Sequence, residues 1–212
     1  MPRLAFEDLE IGYRGHRIAG PLSGEFDGGR LHVLTGPNGC GKTTLLRTLI
    51  GLQPPIAGRV DVDGSISYVP QADDLDGGFP VTCLEVVLTG RWGSARGRST
   101  SAREALALLG VADLAHRAFF ELSGGQRQRV LVARVIHARS DVVALDEPTA
   151  GVDVGSAEMI WSAMQDLAHR GNVVVAVTHD LHRLPEFADR QLLLDERGIV
   201  DVPIVPVAGA SR

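Results

Sequence analysis

Lysine is all but missing from this chain. Of its 21 basic residues 20 are arginine, and the single lysine is Lys42. A bias toward arginine explains the 20 but leaves Lys42 needing a reason of its own. Cysteine is also scarce: Cys40 and Cys83 alone exclude a disulfide framework and a cysteine-rich metal site. An excess of positive charge is absent, since 26 acidic residues leave a net charge of −5. Non-specific attraction to nucleic acid or to an anionic membrane surface is therefore not the organising feature. No stretch approaches the roughly 18 apolar residues that span a bilayer. The richest run, Val173 to Val177, has only the length of a strand. The N-terminal MPRLAFEDLE carries acidic residues where a signal peptide needs an apolar core, so a cytoplasmic protein is expected.

What is present fits an ordinary globular chain: 44% hydrophobic and 22% charged residues exclude a disordered or collagen-like one. At about 150 residues per domain, 212 residues suggest one domain with an inserted lobe. Leu31 to Thr35 reads as a buried strand ending at Gly36, followed by a loop and a helix bearing Leu45, Leu46, Leu49 and Ile50. Gly51 and Pro54-Pro55 end that helix. Arg59 to Val62 and Ser65 to Val69 read as short strands around the turn at Asp63-Gly64, together one small β element. Residues 72 to about 121 are expected to form a helical insertion. In it, Thr82 and Glu85 make a capping box, with Val81 and Val86 as a hydrophobic staple. Ser101 to Glu104 repeats the box, Gly110 closes that helix, and Gly93 to Thr100 reads as an exposed linker. Beyond the insertion come a strand from Val142 ending in Asp146, a helix over 154–170 and a strand over 173–177. Strands alternating with helices predict a parallel, doubly wound α/β sheet, whose ligand sits beyond the carboxyl ends of its strands. Residues 36, 146 and 178–179 all fall at such ends.

Chemistry concentrates there. Gly36-Pro37-Asn38-Gly39-Cys40-Gly41-Lys42-Thr43 fits the phosphate loop G-x-x-x-x-G-K-[ST] and stands between a strand and a helix, as that motif requires. Its glycines let backbone N–H groups turn toward phosphate oxygens, Lys42 supplies a point charge and Thr43 can hold Mg²⁺. The lone lysine thus has its reason. Cys40 reads as packing. Val142 to Glu147 is an apolar strand delivering two carboxylates: Asp146 to support Mg²⁺ and Glu147 to polarise a water for attack on a γ-phosphate. Ser123 can cap a helix whose first N–H groups, freed by Gly124 and Gly125, form a second anion site. Two anion sites far apart in sequence suit two nucleotides held between two head-to-tail copies.

Leu122 to Gln126, LSGGQ, followed by RQRVLVAR and LDEP, resembles the signature of ATP-binding cassette (ABC) ATPases. Seven motifs stand in that family's order: Tyr13, GPNGCGKTT including Thr44, YVPQ ending in Gln71, ELSGGQ including Gln126, VVALDEP, AGVD with Asp153, and VTHD with His179. The resemblance implies a P-loop core with a parallel sheet, a small N-terminal antiparallel β element and an inserted helical subdomain. It implies ATP and Mg²⁺ as cofactors, with Tyr13 stacking on adenine and Gln71 reaching Mg²⁺ and the attacking water. It also implies that His179 contacts the γ-phosphate, and that the signature of one subunit closes on the nucleotide of the other in a homodimer. The other six histidines read as surface residues. Where the family commonly has SALD, this chain has AGVD.

One cassette without a membrane span points to the nucleotide-binding subunit of a transporter, peripheral on the inner face of the membrane. Its implied partners are an integral membrane permease and an extracytoplasmic solute-binding protein, with no nucleic acid. The stretch from Tyr68 through Asp76 to Gly93 is similar to that in ATPases of zinc and manganese uptake, although the linker at 93–100 is shorter. Chelated-iron importers share parts of this pattern, and a non-transport ABC ATPase is a further alternative.

Overall fold

The computed structural model describes residues 1–71, 80–91 and 98–205. Strands Arg3–Tyr13 (β1) and His16–Asp27 (β2) form an antiparallel hairpin. Its two-residue turn, Arg14-Gly15, has φ of 50° and 82°, the left-handed pair that matches the twist of the flanking strands. Next come Arg30–Thr35 (β3), helix Lys42–Leu49 (α1), Ala57–Asp63 (β4) and Ile66–Val69 (β5). The expected small element around Asp63-Gly64 does not exist as one unit. β4 pairs with β1, completing a sheet of order β2-β1-β4, whereas β5 joins a second sheet. The cause is the anchoring of the turn: the Ser65 N–H and hydroxyl both donate to the Asp141 carboxylate at 2.8 Å, at the threshold of another strand.

The helices Cys83–Leu88 (α2), Arg98–Leu108 (α3) and Gly124–Ala138 (α4) follow, with 3-10 turns at Ala112–Leu114 and Phe119–Glu121 between the last two. The Thr82 capping box is present: Thr82 N donates to Glu85 Oε2 at 2.8 Å, and Glu85 N donates to Thr82 Oγ1 at 3.3 Å. The second box is not. α3 starts at Arg98, so residues 98–100 are helix rather than linker, and Ser101 lies inside the helix with its hydroxyl 3.2 Å from His137 Nδ1. A partner on α4 outcompeted the local backbone for that hydroxyl. Gly110, at φ 63°, terminates α3 as expected. The rest of the expected linker, 93–97, and the stretch 72–79 lie outside the described residues.

Val142–Asp146 (β6), Val154–His169 (α5), Val173–Val177 (β7), Leu184–Phe187 (α6), Arg190–Asp195 (β8) and Gly198–Val202 (β9) complete the chain. The second sheet has the order β5-β6-β7-β3-β8-β9, all parallel except the edge strand β9. β6 and β7 are buried at every position because both faces are covered. Alternate residues therefore serve different cores. Val143 and Leu145 face the cluster built with α3, α4 and α5, while Val142 and Ala144 face α1 and the antiparallel sheet. Each such valine or leucine side chain contributes about 1.5–3 kcal/mol on burial. The sandwiching fixes the three central strand ends, β6, β7 and β3, side by side.

Two histidines expected on the surface are buried, His32 at 0% and His137 at 1% exposure. His32 Nε2 donates to Asp27 O at 2.9 Å, and its ring meets Phe26 edge-on. Burial lowers the His32 pKa below its ordinary 6.5. The unfolded chain then takes up a proton near that value while the folded chain does not, so this stability is complete above pH 6.5 and declines as pH falls below it. The thermal midpoint of the parent is expected to drop more between about pH 7.5 and 5.5 than that of His32→Gln. Equal slopes would remove His32 as a source of acid sensitivity.

Candidate functional site

The loop from β3 to α1 owes its path to glycine at two points. Gly36 has φ 150°, and a Cβ there would lie 2.2 Å from Leu194 O of β8, so only glycine lets the loop cross that strand. Gly41, at φ 100°, occupies the N-cap of α1 and supplies no capping side chain to the first N–H groups of the helix. Lys42 is nearly buried. Its ammonium donates to the carbonyls of Gly36 at 2.9 Å and Pro37 at 2.8 Å. Thr43 Oγ1 donates to Asp146 Oδ1 at 2.9 Å, across the gap between α1 and β6. Asp146 is fully buried, and Tyr68 Oη of β5 donates to its Oδ2 at 3.3 Å.

Glu147 follows in a left-handed conformation, φ 49°, which costs a non-glycine residue about 1–3 kcal/mol. The strain is held by its N–H, which donates to Val177 O at 3.0 Å at the end of β7. The turn aims the carboxylate sideways, with Oε1 3.1 Å from His179 Nε2. Burial raises the Glu147 pKa above the ordinary 4.5, against the downward pull of His179 and Lys42. A carboxyl moved toward neutrality and exposed to a cavity is suited to accepting a proton.

Lys42, Thr43, Glu147 and His179 line one cavity of about 740 Å³, within the range of small-molecule sites. Of the residues expected from sequence, Asn38, Gly39, Gly41, Lys42, Thr43, Thr44, Gln71, Glu147 and His179 border it. Gly36 and Asp146 stand directly behind, bonded to Lys42 and Thr43 respectively. Tyr13 is not in the lining. It is 60% exposed beside the Arg14 guanidinium, and Ile18 of β2 borders the cavity instead.

Ser123, Gly124, Gly125, Gln126 and Asp153 also stand apart from this cavity. Ser123 caps α4, with Gln126 as its reciprocal partner. Asp153 caps α5 through Ser156 N at 3.0 Å. The two caps are neighbours, since a Cβ on Gly125 would lie 3.6 Å from Val152 and 3.8 Å from Asp153. Ile18, Thr149, Ala150, Thr178 and Asp180 also line the cavity and were not among the expected site residues. Thr178 and Asp180 flank His179 and were within its motif, whereas nothing local marks Ile18. The hydroxyl of Thr43, the carboxylate of Asp146 and the amide of Gln71 form a set of hard oxygen donors, the chemistry that Mg²⁺ requires.

A glycine loop opening a helix, a buried strand-end carboxylate and a Glu–His pair on adjacent strands define a P-loop nucleotide-hydrolysing cassette. Comparison with known proteins carries this further. Residues 20–150 match the family described as ABC transporter. The zinc import ATP-binding protein ZnuC of Ruegeria pomeroyi is 42% identical over 200 residues, covering 92% of this chain and 75% of that protein. The manganese transport system ATP-binding protein MntB of Bacillus subtilis is 34% identical over 212 residues, covering 93% and 85%. A solved inward-facing ABC transporter of metal-chelate type superimposes with a TM-score of 0.84 at 32% identity, covering 96% of this chain and 84% of that one. The chain belongs to the ABC transporter family, as an ABC-type ATPase. Among the described residues no helix is long and apolar enough to cross a membrane.

Proposed function

We propose that this chain is the ATP-hydrolysing subunit of an importer for zinc or manganese, working beneath a membrane permease on the cytoplasmic face. The observation that carries the metal assignment is the likeness to ZnuC and MntB over more than nine-tenths of the chain. In this reading the loop from Gly36 to Thr44 and Lys42 hold the phosphates, and Tyr13 stacks on adenine. Thr43, Gln71 and Asp146 hold Mg²⁺, which when bound neutralises charge on the β- and γ-phosphates. Glu147 takes the proton of the attacking water, and His179 stands at the γ-phosphate while steadying Glu147. Ser123, Gly124, Gly125, Gln126 and Asp153 serve the nucleotide of a second copy. Their position away from the chain's own cavity supports a head-to-tail homodimer. In this reading the segment 72–121, which carries α2 and α3, meets the permease together with Gln71, and an extracytoplasmic solute-binding protein completes the system.

Deleting the gene is expected to lower cellular zinc or manganese under limitation, and a Glu147→Gln copy should fail to restore it. Elemental analysis of parent, deleted and complemented cells in metal-depleted medium measures this. A fall in iron alone would assign the chain to a chelated-iron importer instead. No change in any metal would defeat the metal reading and leave the ABC ATPase.

A further inference from the structure

The carboxylate of Asp146 is wholly buried and meets hydroxyl donors on both oxygens, Thr43 on Oδ1 and Tyr68 on Oδ2. Tyr68 is oriented for this from two further elements. Arg47, one turn along α1 from Thr43, donates through Nε to Tyr68 Oη at 3.4 Å. A guanidinium has no acceptor, so the tyrosine must point its own proton away from Arg47, and Asp146 Oδ2 receives it. The main-chain oxygen of Tyr68 in turn accepts a 2.6 Å bond from Arg134 of α4, the helix that begins at Ser123. Tyr68 pairs with Ala144 across the β5–β6 ladder, and Gln71 lies three residues further along the same strand path.

We propose that Tyr68 is a positioning residue for the metal site: its hydroxyl fixes Asp146 Oδ2, so that Oδ1 stays turned to Thr43 and the cavity. This rests on the reading of Asp146 and Thr43 as Mg²⁺ ligands. Phenylalanine keeps the ring, its packing against the core that includes Leu45, Leu46 and Leu49, and the main-chain bond to Arg134, while it deletes the donor to Asp146 together with the acceptor for Arg47 Nε. A lost hydrogen bond to a charged group corresponds to roughly tenfold in an equilibrium constant.

The test is equilibrium binding of a fluorescent ATP analogue to the full chain in a Glu147→Gln background, titrated with Mg²⁺. Tyr68→Phe should bind the metal-free analogue as its parent does, yet need about tenfold more Mg²⁺ to reach the metal-enhanced affinity. In the hydrolysing background, excess Mg²⁺ should restore kcat, which a merely structural defect would not allow. Arg47→Gln, which removes the group that directs the tyrosine proton, should shift the Mg²⁺ midpoint in the same direction by less and covers the case of poor folding. Asp146→Asn is the control. If it abolishes the Mg²⁺ effect while both other variants keep the parental midpoint, the positioning role is overturned and the metal site stands. If Asp146→Asn also keeps the parental midpoint, the metal-site reading falls and the role of Tyr68 with it.

Discussion

Glu147→Gln is expected to bind MgATP like the parent and to hydrolyse it at least roughly a hundredfold more slowly, the usual weight of a positioned general base. The amide is isosteric, so the left-handed turn and the N–H bond to Val177 that aim the side chain survive. What disappears is the oxygen able to take a proton from water, together with the negative charge 3.1 Å from His179 Nε2. Unhydrolysed nucleotide should then hold two copies together. Size-exclusion chromatography with and without MgATP reads the association, and phosphate release reads the rate. Because burial raises the Glu147 pKa above 4.5, the parental kcat/KM should fall at its acid limb at a higher pH than a free glutamate would give. Parental turnover in the variant would remove Glu147 as the base.

Lys42→Ala should lose most MgATP binding, on the order of a hundredfold or more for a lost charge-assisted contact to phosphate. No neighbouring lysine can substitute, because Lys42 is the only one in the chain. The ammonium is already gathered into the loop by the carbonyls of Gly36 and Pro37, so alanine removes both the phosphate contact and the donor that organises those carbonyls. Binding of labelled ATP decides the matter, and near-parental affinity would defeat the phosphate-loop assignment. A mixture with Ser123→Arg extends the test. In a mixed dimer one composite site keeps an intact loop and an intact signature while the other carries both defects, so regained hydrolysis requires head-to-tail pairing. No recovery where mixed dimers are shown to form would count against that pairing.

Much of the site was readable in sequence because its parts are local. The phosphate loop places glycines, Lys42 and Thr43 within eight residues, and its path follows from the positive φ values that Gly36, Gly39 and Gly41 tolerate. The caps at Thr82 and Ser123 are contacts between residues three apart, so the backbone of a single turn completes them. Strands β6 and β7 announced themselves by unbroken apolar runs, which only a sheet covered on both faces can bury.

What lies between distant segments was not readable. Whether β4 and β5 belong together was decided by Asp141, which captures Ser65 from across the fold. Ser101 looked like a helix cap until His137 on another helix took its hydroxyl. His32 looked like any exposed histidine, yet Phe26 and the Asp27 carbonyl enclose it. The pairing of Glu147 with His179 follows from the parallel register that sets Asp146 beside Val177, and the bond from Tyr68 to Asp146 from the β5–β6 ladder. The sequence by itself therefore determined the chemistry of each strand end and helix start, since those depend on dihedral preference and bonds within one turn. The tertiary structure alone decided which ends meet, because strand order and register minimise the exposed apolar surface of the whole chain and are written in no single segment of it.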